Sequence, residues 1–143
     1  MYHKVIIVGN LGRDPEMRYT PQGTPVTSFS VATNRRWTNA DGTPGEETTW
    51  FRVSAWGKLG EICNQYLSKG RQVFVEGQLR PDPETGRPRI WTRQDGTAGA
   101  SFEVTARTVR FLGGRGEGMA VEPGVTLEEP PPGLEEGEEE LPF

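Results

Sequence analysis

Thr49-Trp50-Phe51-Arg52-Val53-Ser54-Ala55-Trp56-Gly57-Lys58 is rich in β-formers and stops at a glycine, which predicts a strand. Side chains on a strand alternate between two faces. One face carries Phe51, Val53 and Ala55 and suits a core. The other carries Trp50, Arg52, Ser54 and Trp56, with Lys58 just beyond. Two indoles with a guanidinium between them are costly to leave in water. Either they pack under another layer, with the strand buried on both faces, or they receive a flat ligand.

The flanking sequence sets this strand third in a series. Tyr2 to Leu11 reads as a strand ending in the turn signal Gly9-Asn10-Leu11-Gly12. Arg13 to Tyr19 continues as an irregular or edge segment, and Pro21-Gln22-Gly23 is a turn. Val26 to Arg35 is the second strand, with Phe29, Val31 and Thr33 on one face and Trp37 just past its end. Thr38 to Gly45 contains Asp41-Gly42 and forms a hairpin connection. After the central strand, Thr48 to Gly57, comes the only good helix, Lys58 to Lys69. Leu59, Ile62, Cys63 and Tyr66 share its apolar face, and Gly70 supplies the stop. Gln72 to Arg80 is the fourth strand, with Val73, Val75 and Leu79 facing the core. Pro81 to Ala100 is a long hairpin region, and Ser101 to Leu112 is the last strand. Its apolar alternation breaks between Ala106 and Val109, which predicts a bulge. Five short strands with one helix between the third and fourth is the layout of an all-β OB-fold, a small Greek-key barrel.

The net charge of −4 hides a division. Residues 1–112 carry 15 Lys and Arg against 11 Asp and Glu, a balance of +4. Residues 113–143 carry one Arg against nine Glu, a balance of −8. Gly, Pro and Glu dominate this second part, which cannot bury enough apolar surface to offset ordering and is expected to be disordered. Its last six residues, Glu138-Glu139-Glu140-Leu141-Pro142-Phe143, set two large apolar side chains after three acids. The layout expected is a domain over 1–112, a linker over 113–137 and an acidic tip over 138–143.

Trp37, Trp50, Trp56 and Trp91 each have Arg or Lys within two residues. Such interleaving suits single-stranded nucleic acid, whose bases stack on indoles at roughly 1–3 kcal/mol each while cations follow the phosphates. A duplex offers no such exposed faces. Arg35, Arg52, Lys58, Arg80 and Arg89 are the candidate phosphate contacts. Tryptophans buried in a core or a subunit interface remain the alternative reading, as for an OB-fold adaptor that binds proteins; an RNA-binding OB domain would share the aromatics.

Catalysis finds little support. His3 is the only histidine and lies near the terminus, so no Ser/His/Asp set can be assembled without it. Asp14, Glu16, Glu61 and Asp82 are scattered carboxylates. Cys63, the single cysteine, reads as a small core residue rather than a nucleophile. One cysteine and one histidine do not make a zinc site, and no residue set calls for a cofactor. The apolar run Val5-Ile6-Ile7-Val8 is too short for a signal peptide or a membrane span, so a cytoplasmic location is expected.

Val8-Gly9-Asn10-Leu11-Gly12-Arg13-Asp14-Pro15-Glu16, with Arg18-Tyr19 and Gly23, resembles the opening of the bacterial single-stranded DNA-binding proteins. So do Trp50-Phe51-Arg52-Val53, Gly57-Lys58-Leu59, Tyr66-Leu67-Ser68-Lys69-Gly70 and Val75-Glu76-Gly77-Gln78-Leu79-Arg80. The ending Leu141-Pro142-Phe143 looks like that family's partner-binding tip. The resemblance implies an OB-fold protomer, usually a homotetramer, that coats single-stranded DNA in replication, recombination and repair. It implies no enzymatic activity and a nucleoid-associated place in the cytoplasm. It puts the stacking aromatics at Trp37, Trp50, Trp56 and Trp91, and the docking of replication and repair proteins at Glu138 to Phe143.

Overall fold

The computed structural model describes residues 1–113. The linker and tip expected beyond them, and the disorder expected there, lie outside the described residues. In chain order the elements are β1 (Val5–Leu11), β2 (Glu16–Tyr19), β3 (Pro25–Thr38), β4 (Pro44–Trp56), α1 (Lys58–Tyr66), β5 (Gln72–Leu79), β6 (Ile90–Thr92), β7 (Ala98–Ala100) and β8 (Phe102–Phe111).

The sheet order is β1-β5-β8-β4-β3, and β3 returns to β1 to close a five-stranded barrel. The closing seam is short, with Asn10 opposite Ala32 and Leu11 opposite Val31. Every pairing is antiparallel except β4 with β8, where Phe51 to Ser54 lie beside Phe102 to Thr105. β2 adds to the free side of β3, and β6 and β7 form a separate hairpin. This is the expected OB-fold, with its helix between the third and fourth barrel strands.

The core follows the alternation. Ile7, Leu11, Phe29, Val31, Val53, Ala55, Val73, Val75, Val104, Ala106 and Val109 turn inward, and Cys63 and Leu67 close one end from the helical segment. Each fully buried aliphatic side chain contributes roughly 1.5–3 kcal/mol, so this inner set decides which face of each strand points in. Thr27 fastens the helix to β3 by donating its hydroxyl to the Gly60 carbonyl at 2.6 Å. The expected bulge is present: Glu76 faces Thr108 while Gly77 faces Ala106, leaving Arg107 as the extra residue.

Four expectations need correction. α1 ends at Tyr66 rather than Lys69, because Leu67 adopts extended backbone (φ −89°, ψ 150°) and drops its side chain into the core. Tyr66 is exposed, with its ring 6.0 Å from that of Phe111. Leu79 is 48% exposed: β5 has run past its pairing with β1, which ends at Gly77, though Leu79 still pairs with Val104 of β8 and its N–H donates to His3 Nε2 at 3.1 Å. β3 and β4 run past the barrel, so Trp37 lies within β3 instead of beyond its end.

Candidate nucleic-acid interface

From Thr33 opposite Thr49 to Thr38 opposite Pro44, β3 and β4 pair only with each other among the described residues. This two-stranded arm carries Arg35, Arg36 and Trp37, and Trp50 stands at its base opposite Ala32. Trp56 lies on the same face of β4 six residues further on, roughly 20 Å away at the rise of an extended strand. Both Trp50 and Trp56 are half-buried. Trp37 is 39% exposed. The Arg35 guanidinium sits 4.7 Å from its ring centroid, a cation–π distance. A groove of about 520 Å³ opens beside this indole, lined by Arg36, Trp37, Thr38, Pro44, Gly45 and Glu46.

Between Trp50 and Trp56 the strand is not a solvent-facing ladder. Arg52 is 2% exposed and Ser54 is also buried, so β4 is covered on both faces over its middle. Arg52 lies in register with the buried Glu103 of β8, which places opposite charges on adjacent strands. A buried guanidinium is costly without such compensation. Arg52 therefore has no open path to a phosphate in this chain by itself. Trp91 also departs from an open platform: it is 6% exposed, and its Nε1 has no hydrogen-bond partner among the described residues.

The remaining cations divide by access. Arg35 pairs with Glu47 at 3.7 Å and Arg36 with Glu46 at 3.6 Å, while Lys58 pairs with Glu61 at 3.8 Å. These pairs are exposed and worth little, so a phosphate can replace the carboxylate at small cost. Arg80 and Arg89 are half-buried. Burial pulls the Arg80 guanidinium below its ordinary value, Glu103 opposes that shift, and neighbouring Arg89 adds to it. Asp82 to Arg87 close a tight turn, with Asp82 N–H donating to the Arg87 carbonyl at 2.9 Å and Gly86 N–H to the Asp82 carbonyl at 2.8 Å.

Sequence reasoning took the two Asp-Gly turns separately and missed that they are one design. Residues 37–45 read Trp-Thr-Asn-Ala-Asp-Gly-Thr-Pro-Gly, and residues 91–99 read Trp-Thr-Arg-Gln-Asp-Gly-Thr-Ala-Gly. A search for internal repeats would have found it. In the first, Thr43 donates its N–H and its hydroxyl to Asp41 Oδ1 at 3.0 and 2.6 Å, and Asn39 N–H donates to the Thr43 carbonyl at 2.8 Å. In the second, Thr97 does the same to Asp95 Oδ1 at 2.9 and 2.6 Å, and Arg93 N–H donates to the Thr97 carbonyl at 2.7 Å. Gly42 and Gly96 both take φ of 87°, the left-handed region the turn requires. Trp37 pairs across the ribbon with Gly45, and Trp91 with Gly99.

Among the described residues no cluster of His, Cys, Asp and Glu is arranged to hold a metal ion, and no helix is long and apolar enough to cross a membrane.

A sequence profile of the Single-strand binding protein family matches residues 2–112. A protein of Xanthomonas axonopodis pv. citri named single-stranded DNA-binding protein is 48% identical over 116 residues, 81% of this chain and 61% of that one. A protein of Xylella fastidiosa with the same name is 44% identical over 116 residues, 81% of this chain and 66% of that one. The matched part thus spans about three fifths to two thirds of these curated relatives. A crystal structure of a deletion mutant of the single-stranded DNA binding protein from Thermus aquaticus superposes with a TM-score of 0.61 at 30% identity, over 79% of this chain and 51% of that one. The Plasmodium falciparum SSB, solved with single-stranded DNA, shares the fold at a TM-score of 0.65 and 24% identity, over 78% of this chain and 96% of that one.

Proposed function

Because this chain belongs to the single-strand binding protein family, we propose that it coats single-stranded DNA without regard to sequence and protects it during replication, recombination and repair. The observation that carries the reading is the arm of β3 and β4, which presents Trp37 beside Arg35 over an open groove, with Trp50 at its base. Bases stack on the indoles, and Arg35, Lys58, Arg80 and Arg89 follow the phosphates. Arg52 joins them only where its cover over β4 opens. The activity is binding, with no bond made or broken.

Assembly into a homotetramer belongs to the same proposal. β1 pairs with β5 from Val5 to Asn10 but meets β3 only at its last two residues, so among the described residues its other edge is open. Ile6 (61% exposed) and Val8 (48% exposed) stand on its outer face. An open strand edge with apolar side chains is a place for a second copy to add. Residues 1–112 would form the binding domain and 113–137 a linker. Glu138, Glu139, Glu140, Leu141, Pro142 and Phe143 would dock replication and repair proteins, acids against a basic rim and Phe143 in an apolar slot. The place of action would be the nucleoid in the cytoplasm.

A titration with oligo-dT tests the binding reading. Stacking should quench the indole fluorescence, and affinity should fall with salt by roughly −0.7 per neutralised phosphate on a log–log plot. Fluorescence unchanged at saturating oligo-dT would show that the tryptophans serve a protein interface instead. Stronger binding to an RNA oligomer than to its DNA counterpart would move the substrate to RNA.

A further inference from the structure

Trp37 and Trp91 are held by the same device. In each hairpin the residue directly across from the tryptophan is a glycine. A Cβ on Gly45 would fall inside contact distance of Trp37 Cε2, Nε1 and Cζ2, and a Cβ on Gly99 would lie 2.8 Å from Trp91 Cε2 and Nε1. The indole in each case lies across the space that a side chain would fill. Neither Gly45 nor Gly99 has a positive φ, so the backbone does not demand glycine at either place. The neighbouring ring does, joined at Gly99 by Arg93 Nη2 at 2.9 Å. By contrast, Gly42 and Gly96 at the turns have open space around a missing Cβ and are required for their φ alone.

We infer that Gly45 is a positioning residue, which leaves the strand bare so that Trp37 lies across it and presents its ring in a fixed plane for stacking; Gly99 seats the buried Trp91 ring by the same device. The inference rests on the reading of the Trp37 indole as a base platform. A ring held before its ligand arrives loses little rotamer freedom on binding. The first hairpin adds a second fastening. Trp37 Nε1 donates to Asn39 Oδ1 at 2.8 Å, and Asn39 Nδ2 donates to Thr43 Oγ1 at 3.0 Å, which ties the ring to the turn. The second hairpin has Arg93 in place of Asn39, and Arg93 Nη1 donates to the Ala98 carbonyl at 2.6 Å and to Thr97 Oγ1 at 3.2 Å. A guanidinium has no acceptor to offer an indole N–H. Trp91 is therefore placed by its glycine without that fastening, and its Nε1 keeps a donor with no partner among the described residues.

The test uses the full chain and a labelled oligo-dT read by anisotropy, so that tryptophan can be removed without losing the signal. Gly45→Ala should weaken binding about fivefold or more, the low end of what one stacked base contributes. In a Trp37→Ala background the same substitution should change nothing, because its effect passes through that ring. Near-ultraviolet circular dichroism of the free chain should change with Gly45→Ala while the melting temperature stays close to the parent's. Gly99→Ala, whose Cβ would also meet Arg93 Nη2, should change the near-ultraviolet signal of the free chain through Trp91, and no such change in a Trp91→Ala background is expected. Should Gly45→Ala fail to fold, Asn39→Ala releases the same ring from an exposed site and should weaken binding in the Trp37 background only. Trp37→Ala weakened while Gly45→Ala binds like the parent would overturn the positioning role and leave the stacking reading intact. Equal loss from Gly45→Ala with and without Trp37 would overturn it too. Trp37→Ala binding as well as the parent would overturn the stacking reading at this ring, and the positioning role with it.

Discussion

Two residues show how far side-chain alternation reaches. Phe51, Val53 and Ala55 point inward as their spacing requires, yet Arg52 between them is buried as well. Alternation tells which side chains share a face; it does not tell what later chain will cover the outer one. Trp91 was legible as an indole among cations but not as a buried one, because the bare Gly99 it lies across is set opposite it only by the pairing of its hairpin. Cys63 was legible, since an apolar helical face with no basic partner leaves a thiol nothing to do. Burial pushes its thiol up to about 12. At pH 8 iodoacetamide should therefore leave Cys63 unmodified in the folded chain and react only after denaturant is added, as mass spectrometry can follow. Rapid alkylation of the native chain would contradict the packing described for α1.

At the scale of elements, the twin turns have a shared pH response. The Thr43 hydroxyl, then its N–H, hold the Asp41 carboxyl below its ordinary value of 3.8, and Thr97 does the same for Asp95. A carboxyl depressed by folding stabilises above its ordinary value and loses that contribution as pH falls through the folded one. Both turns should stay unchanged from pH 8 to 5 and loosen only below about 3.8, read as faster amide exchange at Thr43 and Thr97. Asp41→Asn should remove the response from the first turn and leave it in the second. Loosening near neutral pH would refute the assignment. The bulge at Arg107 makes a sharper demand. A one-residue slip sends a strand's whole side-chain set to the opposite face. Deleting Arg107 should abolish cooperative melting, whereas Arg107→Ala, which keeps the residue count, should melt like the parent. That bulge could be read from the break between Ala106 and Val109, but the length of the β3–β4 arm could not, because polar residues pair along a ribbon without any apolar periodicity to mark them.

Across the whole molecule, five strands, one helix and their order were present in the sequence as runs of β-formers punctuated by glycine. What it could not show was closure, which depends on the short seam between β1 and β3 and on Gly9, whose missing side chain lets the Ala32 carbonyl approach. The open edge of β1 gives the assembly proposal its own check. Ile6→Glu should lower the native mass without loss of strand content, and an unchanged mass would place the subunit contact elsewhere. β5 is antiparallel to both β1 and β8, with Val5 opposite Gly77 at one of its ends and Phe111 opposite Val73 at the other. Tension applied at Met1 and at Leu112 therefore slides β1 and β8 in opposite directions along β5. The two ladders are loaded in shear, with their hydrogen bonds sharing the force, and do not unzip one bond at a time. A pull on the chain at Leu112 should be transmitted through the barrel as through a clamp, so that the force meets both ladders at once before the fold gives way.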